Sequence, residues 1–183
     1  MLVFLAFFGV FFSSSAAFAI PVVEKACGQL PLDVRFYSTG YEVSDFLDAC
    51  GQGGRDAYRN MQVADLLYPL VFGLFMASSL SMVLRRLCPG RPGIAVVGLV
   101  LAMVGTGFDY LENLFAWLAL AAFPQPAVTN GVLGVASAAK NVSFWLAGMT
   151  LMVGLVALVL RTAAGWLTRR QMAGPTANHA IPQ

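Results

Sequence analysis

The sequence predicts an all-α integral membrane protein: an antiparallel bundle of four transmembrane helices, with a short amphipathic helix in the outer loop after the first span. Three observations predict this class. Of 183 residues, 58% are hydrophobic and 11% charged, against roughly 45–50% and 25% in soluble domains, and the mean hydropathy is +0.74. Four apolar stretches, residues 1–23, 66–84, 93–122 and 131–160, reach the ~17–25 residues a helix needs to cross a ~30 Å hydrocarbon core. The few charged residues that open or lie inside the last three stretches fall at one depth. Residues 1–170 then form a single transmembrane domain, and the polar tail 171–183, which contains Gly174-Pro175, is expected to be disordered.

The first stretch, 1–23, carries no charge and admits two readings. Leu2 to Phe12 fits the h-region of a signal peptide, followed by Ser13-Ser14-Ser15 and an Ala17-Phe18-Ala19 site of the A-x-A type. The absence of a preceding Lys or Arg, and the continuation through Ile20-Pro21-Val22-Val23, favour a retained span.

Loop 24–65 holds seven acids besides Lys25, Arg35, Arg55 and Arg59. Thr39 and Glu42 have capping-box spacing, so a helix should start there. Val43, Phe46, Leu47 and Cys50 recur at i, i+3, i+4 and i+7 as its apolar stripe, and Gly51, Gly53 and Gly54 should end it. That places Cys50 to meet Cys27 in a disulfide, which an oxidising compartment permits. From Arg55 the helical pattern continues through Tyr58 and Met61 into the second stretch, where Pro69 should kink the helix near its outer end. Cys88-Pro89-Gly90-Arg91-Pro92-Gly93 is a turn.

Basic residues orient the chain. Arg85, Arg86 and Arg91 follow the second stretch, and Arg161, Arg169 and Arg170 follow the fourth, which puts both ends, and the C-terminus, in the cytoplasm. The uncharged connection 123–130 and loop 24–65 lie outside. Trp117 and Trp166 should stand near opposite interfaces.

Inside the spans, depth is the informative quantity. At 1.5 Å per residue, Asp109 stands about 24 Å and Glu112 about 28 Å above Gly93, and Lys140 stands about 30 Å above Leu160. Asp65 opens the second span at the same level. Asp109, Glu112 and Asn113 are spaced i, i+3, i+4, so two carboxylates and an amide share one face, extended by Gly105 and Ala116. That face must point inward, because charge facing lipid is costly. Gly98, Ala102 and Thr106 form a small-residue row that should make this helix central.

Three functional readings fit the layer of Asp65, Asp109, Glu112, Asn113, Lys140 and Asn141. In a structural reading, Lys140 pairs with Asp109 or Glu112; Asn113, Asn141 and Tyr110 satisfy what remains, and Arg59 pairs with Asp65. In a transport reading, the carboxylates bind a cation or proton. In an enzymatic reading, they act as general acid and base on a lipid, with a hard cation such as Mg²⁺ compatible with the all-oxygen set. No hydrolase elbow, zinc-protease motif, P-loop or dinucleotide-binding glycine pattern occurs. No cofactor is expected. The lone His179 gives histidine chemistry almost nothing to build with, and a net charge of +2 excludes a nucleic-acid partner. The expected partners are the lipid bilayer and a second copy of the chain or another membrane protein.

The residues Gly54-Arg55-x-x-Tyr58, Asp65-x-x-Tyr68-Pro69 and Asp109-x-x-Glu112-Asn113 resemble a pattern in small, uncharacterised bacterial four-span membrane proteins, covering about residues 35–140. The resemblance implies a bacterial inner membrane and brings no activity with it. Two outer-loop cysteines in a four-span chain also resemble claudins and tetraspanins, but loop 24–65 has no tryptophan and loop 123–130 no cysteine. The leading expectation is a structural or interaction role, with a small ion- or proton-coupled transporter or a lipid-modifying enzyme as the alternatives.

Overall fold

A computed structural model describes residues 2–13, 16–126 and 128–172; the expected disorder of tail 171–183 concerns residues lying almost wholly outside them. The described chain is helical. Its elements are α1 (Leu2–Ser13), α2 (Ile20–Cys27), a 3-10 turn at Leu32–Val34, α3 (Gly40–Ala49), α4 (Gly51–Asp65), α5 (Tyr68–Leu87), α6 (Ile94–Ala122) and α7 (Asn130–Met172). Among the described residues three helices are long and apolar enough to cross a membrane: Gly51–Leu87, which joins α4 to α5, Ile94–Ala122, and Asn130–Arg170.

The stretch 1–23 is not one continuous helix. Its first helix ends at Ser13, and a second starts at Ile20 with Pro21 in its opening turn. Twelve residues rise only about 18 Å, too short for the hydrocarbon core. The proline fits the restart, because it lacks the N–H a helix interior needs and is tolerated in a first turn, where that N–H would have no partner.

The capping box of α3 forms in full. Glu42 N–H donates to Thr39 Oγ1, and Thr39 N–H donates to Glu42 Oε2 at 2.7 Å. These bonds stabilise the ionised carboxylate and hold Glu42 below the usual carboxylate range. Val43, Phe46, Leu47 and Cys50 are buried as one stripe. Of the three glycines expected to end this helix, Gly51 alone turns the chain, with φ +57°, and α4 begins there at once. Gly53 and Gly54 lie inside α4. A Cβ on Gly54 would come 2.9 Å from Cys50 Cβ and 3.1 Å from Cys27 Sγ. The two sulfurs, 2.04 Å apart, lie at bonding distance.

Two hydrophobic clusters result, of different character. The first joins Ile20, Val23, Leu32, Val43, Phe46, Leu47, Tyr58 and Met61 from the N-terminal half to Ala116, Ala119 and Leu120 of α6 and Leu133 of α7. It resembles the core of a soluble domain. The second, Met76, Ala77, Leu80, Ala102 and Ala147, is small and built largely from short side chains, as helix packing in lipid requires. α6 is central and packs against both α5 and α7. Its expected row does the packing: Gly98 meets Leu80 and Ser81, Ala102 is fully buried, and a Cβ on Gly73 of α5 would come 2.1 Å from Thr106 Oγ1. α7, by contrast, leaves much of its apolar length uncovered, with Trp145 69% and Val153 69% exposed.

Candidate functional site

Between the two clusters, in chain order on both α6 and α7, lies the polar layer. Residues 109–113 separate Ala102 from Ala116 on α6, and residues 137–141 separate Leu133 from Ala147 on α7. Every expected member reaches it, apart from the paired cysteines, and nearly all are buried: Asp65, Asp109, Glu112, Asn113 and Lys140 fall in the interior and Asn141 is half-buried.

Lys140 is the hub. Its Nζ donates to Glu112 Oε2, stands 3.5 Å from Asp109 Oδ1 and donates to the backbone carbonyl of Asp33 at 2.8 Å. Glu112 is completely buried and accepts a second bond from Ser137 Oγ. The expected choice between Asp109 and Glu112 is therefore not made, since the ammonium serves both. Three short donors on one compact charge suit a lysine better than a planar guanidinium.

The amides and the tyrosine do other work than the structural reading assigned them. Pro69 has no N–H to give the carbonyl four residues earlier, which leaves Asp65 O without its helical donor. Asn113 Nδ2 donates to that oxygen at 3.2 Å, and Tyr110 Oη donates to the carbonyl of Leu66 at 3.0 Å. The two bonds satisfy backbone acceptors that the break leaves open, that of Asp65 in the interior and that of Leu66 at an exposed position. The expected kink is thus a break at Leu66–Leu67, repaired from α6, with Pro69 in the first turn of α5. Asn141 Nδ2 donates to the carbonyls of Arg35 at 3.3 Å and Ser137 at 2.9 Å. Arg59 does not pair with Asp65; it bonds Asp56 at 2.7 Å on an exposed turn of α4. Asp65 instead lies within electrostatic reach of Asp33, Asp109, Glu112 and Lys140.

Three participants escaped the sequence reading. Ser137 precedes Lys140 by one helical turn, and Gln62 precedes Asp65 likewise, so the same i, i+3 search would have found both. Gln62 Nε2 donates to Asp33 Oδ1 at 2.6 Å. Asp33 itself sits in the 3-10 turn after Pro31 and has no periodicity to reveal it. Three buried acceptors of the layer, Asp33 Oδ2, Gln62 Oε1 and Asn113 Oδ1, have no hydrogen-bond partner among the described residues.

The contacts of Lys140 and Asn141 to Asp33 and Arg35 tie the segment before α3 to α7. Gly134 continues that seam about two turns further along, where a Cβ would stand 1.9 Å from the carbonyl oxygen of Ser38. Among the described residues no group of three or more Asp, Glu, His or Cys is placed to hold a metal. No known protein family, curated protein or solved structure matches this chain.

Proposed function

We propose that this protein is a membrane-anchored interaction module, in which α5, α6 and α7 cross the bilayer and α2, α3 and α4 form a cap on the outer face. The arginine-rich end and the C-terminus lie in the cytoplasm, and the membrane that the resemblance implies is a bacterial inner membrane. The polar layer works as a latch. One observation carries this reading: Lys140 grips Glu112 and Asp109 of α6 and, with the same ammonium, a backbone carbonyl of the cap. Charges committed in this way are spent on architecture. Cys27 and Cys50 supply a second tie as a disulfide, in agreement with an oxidising outer compartment.

α1 acts as a cleavable leader. Its twelve residues match an h-region of about 7–15 residues, and Ala17-Phe18-Ala19 lies in the connection before α2. The remaining topology is the same whether or not it is removed.

A second reading is favoured by a specific feature. The layer holds Asp33, Asp65, Asp109 and Glu112 against Lys140 alone, and Gln62 Oε1 and Asn113 Oδ1 stay unpartnered. Such an excess of acceptors suits a proton or monovalent cation, as a small transporter would use. Asp109→Asn and Glu112→Gln separate the two readings. A latch loses folded yield in membranes, whereas a transport site keeps its yield and loses ion-dependent flux in proteoliposomes.

A further inference from the structure

We propose that the groove between α5 and α6 binds an anionic glycerophospholipid of the arginine-side leaflet, with an acyl chain along the groove and the phosphate on Arg85. This rests on the membrane reading above. The groove encloses about 260 Å³ and is lined by Leu74, Ala77, Ser78, Ser81, Leu99 and, at one end, Arg85. From Leu74 to Arg85 the helix rises about 16 Å, which is roughly half of the ~30 Å hydrocarbon core and so the depth of one leaflet. Its walls are apolar. Both serine hydroxyls donate to backbone carbonyls, Ser78 to Leu74 and Ser81 to Ala95.

The distribution of charge selects the headgroup. All nine acids lie within residues 24–65 or at Asp109 and Glu112, while Arg85, Arg86, Arg91, Arg161, Arg169 and Arg170 gather at the other end. The arginines of the acidic half are engaged: Arg35 with Gln29, Arg55 with the carbonyl of Leu47, and Arg59 with Asp56. The guanidinium groups of Arg85, Arg86 and Arg91 make no hydrogen bond or ion pair among the described residues. An exposed guanidinium at the mouth of an apolar groove of leaflet depth fits a lipid phosphate, and basic sites between spans on the cytoplasmic side attract anionic headgroups. The groove between α6 and α7, lined by Val97, Val100, Val104 and Leu146, has no charged member and serves as the unselective comparison.

The test is native mass spectrometry of the full chain in neutral detergent, titrated with phosphatidylglycerol, phosphatidylcholine or inorganic phosphate. Phosphatidylglycerol should be retained saturably and phosphatidylcholine should not. Arg85→Gln should weaken retention about fivefold, the effect of one headgroup arginine, and Ser78→Phe, which fills the groove, should weaken it without touching any charge. Arg86→Gln removes an equal charge outside the groove and should leave retention unchanged. Equal losses in Arg85→Gln and Arg86→Gln, equal retention of phosphatidylcholine, or displacement by inorganic phosphate with Ser78→Phe silent would each overturn the proposal. A chain that stays monodisperse without detergent would instead sink the membrane reading itself.

Discussion

Replacing Lys140 with methionine removes the one cation that Glu112 and Asp109 share and the donor to the Asp33 carbonyl, while keeping most of the side chain's volume. Glu112 is fully buried and Asp109 is 2% exposed, so neither carboxylate can turn to water in exchange. Removing one partner of a buried ion pair costs about 3–5 kcal/mol, because the uncompensated charge stays behind. For a chain of this size that corresponds to about 6–20 °C in Tm. Asp109→Asn should cost less, about 1.5 kcal/mol at the low end for a charged hydrogen bond, since its contact at 3.5 Å is long and Glu112 still holds the lysine. Removing the charges together, as Lys140→Met with Glu112→Leu and Asp109→Asn, should recover much of the loss, as replacing whole buried ion sets by apolar groups often does. The assay is thermal unfolding in detergent, followed by fluorescence-detected size exclusion. A Lys140→Met variant that melts within experimental error of the native chain would refute the structural role of the layer.

Other substitutions probe the ties around it. Gly73→Ala drives a methyl into Thr106 Oγ1 and should lower Tm, and Thr106→Ala, which removes the obstructing atom, should restore part of the loss in the double variant. Gly134→Ala should push the Ser38 segment off α7, which limited proteolysis between residues 28 and 40 would report. Cys27→Ser should destabilise by about 3 kcal/mol, the closure entropy of a bridge spanning 23 residues, and should abolish the mobility shift between reducing and non-reducing gels. Thr39→Ala should cost about 1 kcal/mol of helix capping, read as lost amide protection at the start of α3. Because Glu42 is held below its ordinary range, its share of that cap is present above the usual carboxylate pKa and is lost as pH falls through the lowered value.

Much of the membrane-crossing part was legible in the sequence, and for one reason: lipid leaves a chain few options. Stretches 66–84 and 93–122 became α5 and α6 within a few residues, and the inward face of Asp109, Glu112 and Asn113 followed from spacing alone. α7 runs about twelve residues past the expected end at 160, since Arg161 and the hydroxyls after it end the apolar stretch without ending the helix. The division of 1–23 into two helices was not foreseen because Pro21 was counted as an apolar residue, when its missing N–H limits where a helix can run. The partners of Asn113 and Tyr110 were hidden for a related reason: the carbonyl of Asp65 is orphaned by Pro69 and that of Leu66 lies at the helix break beside it, both on another helix, and nothing in the neighbourhood of Asn113 or Tyr110 signals that need. Asp33 was invisible because a three-residue turn has no period, and its role arises only when the cap docks.

Cysteine accessibility in sealed, right-side-out vesicles tests the transmembrane arrangement most directly. In a background carrying Cys88→Ser, Tyr41→Cys on exposed α3 and Arg91→Cys in the arginine-rich turn are exposed to an impermeant maleimide. Position 41 should label in intact vesicles, and position 91 should label only after they are opened. Equal labelling of both positions in intact vesicles would contradict a chain that crosses the bilayer with its cap on one side and its arginines on the other.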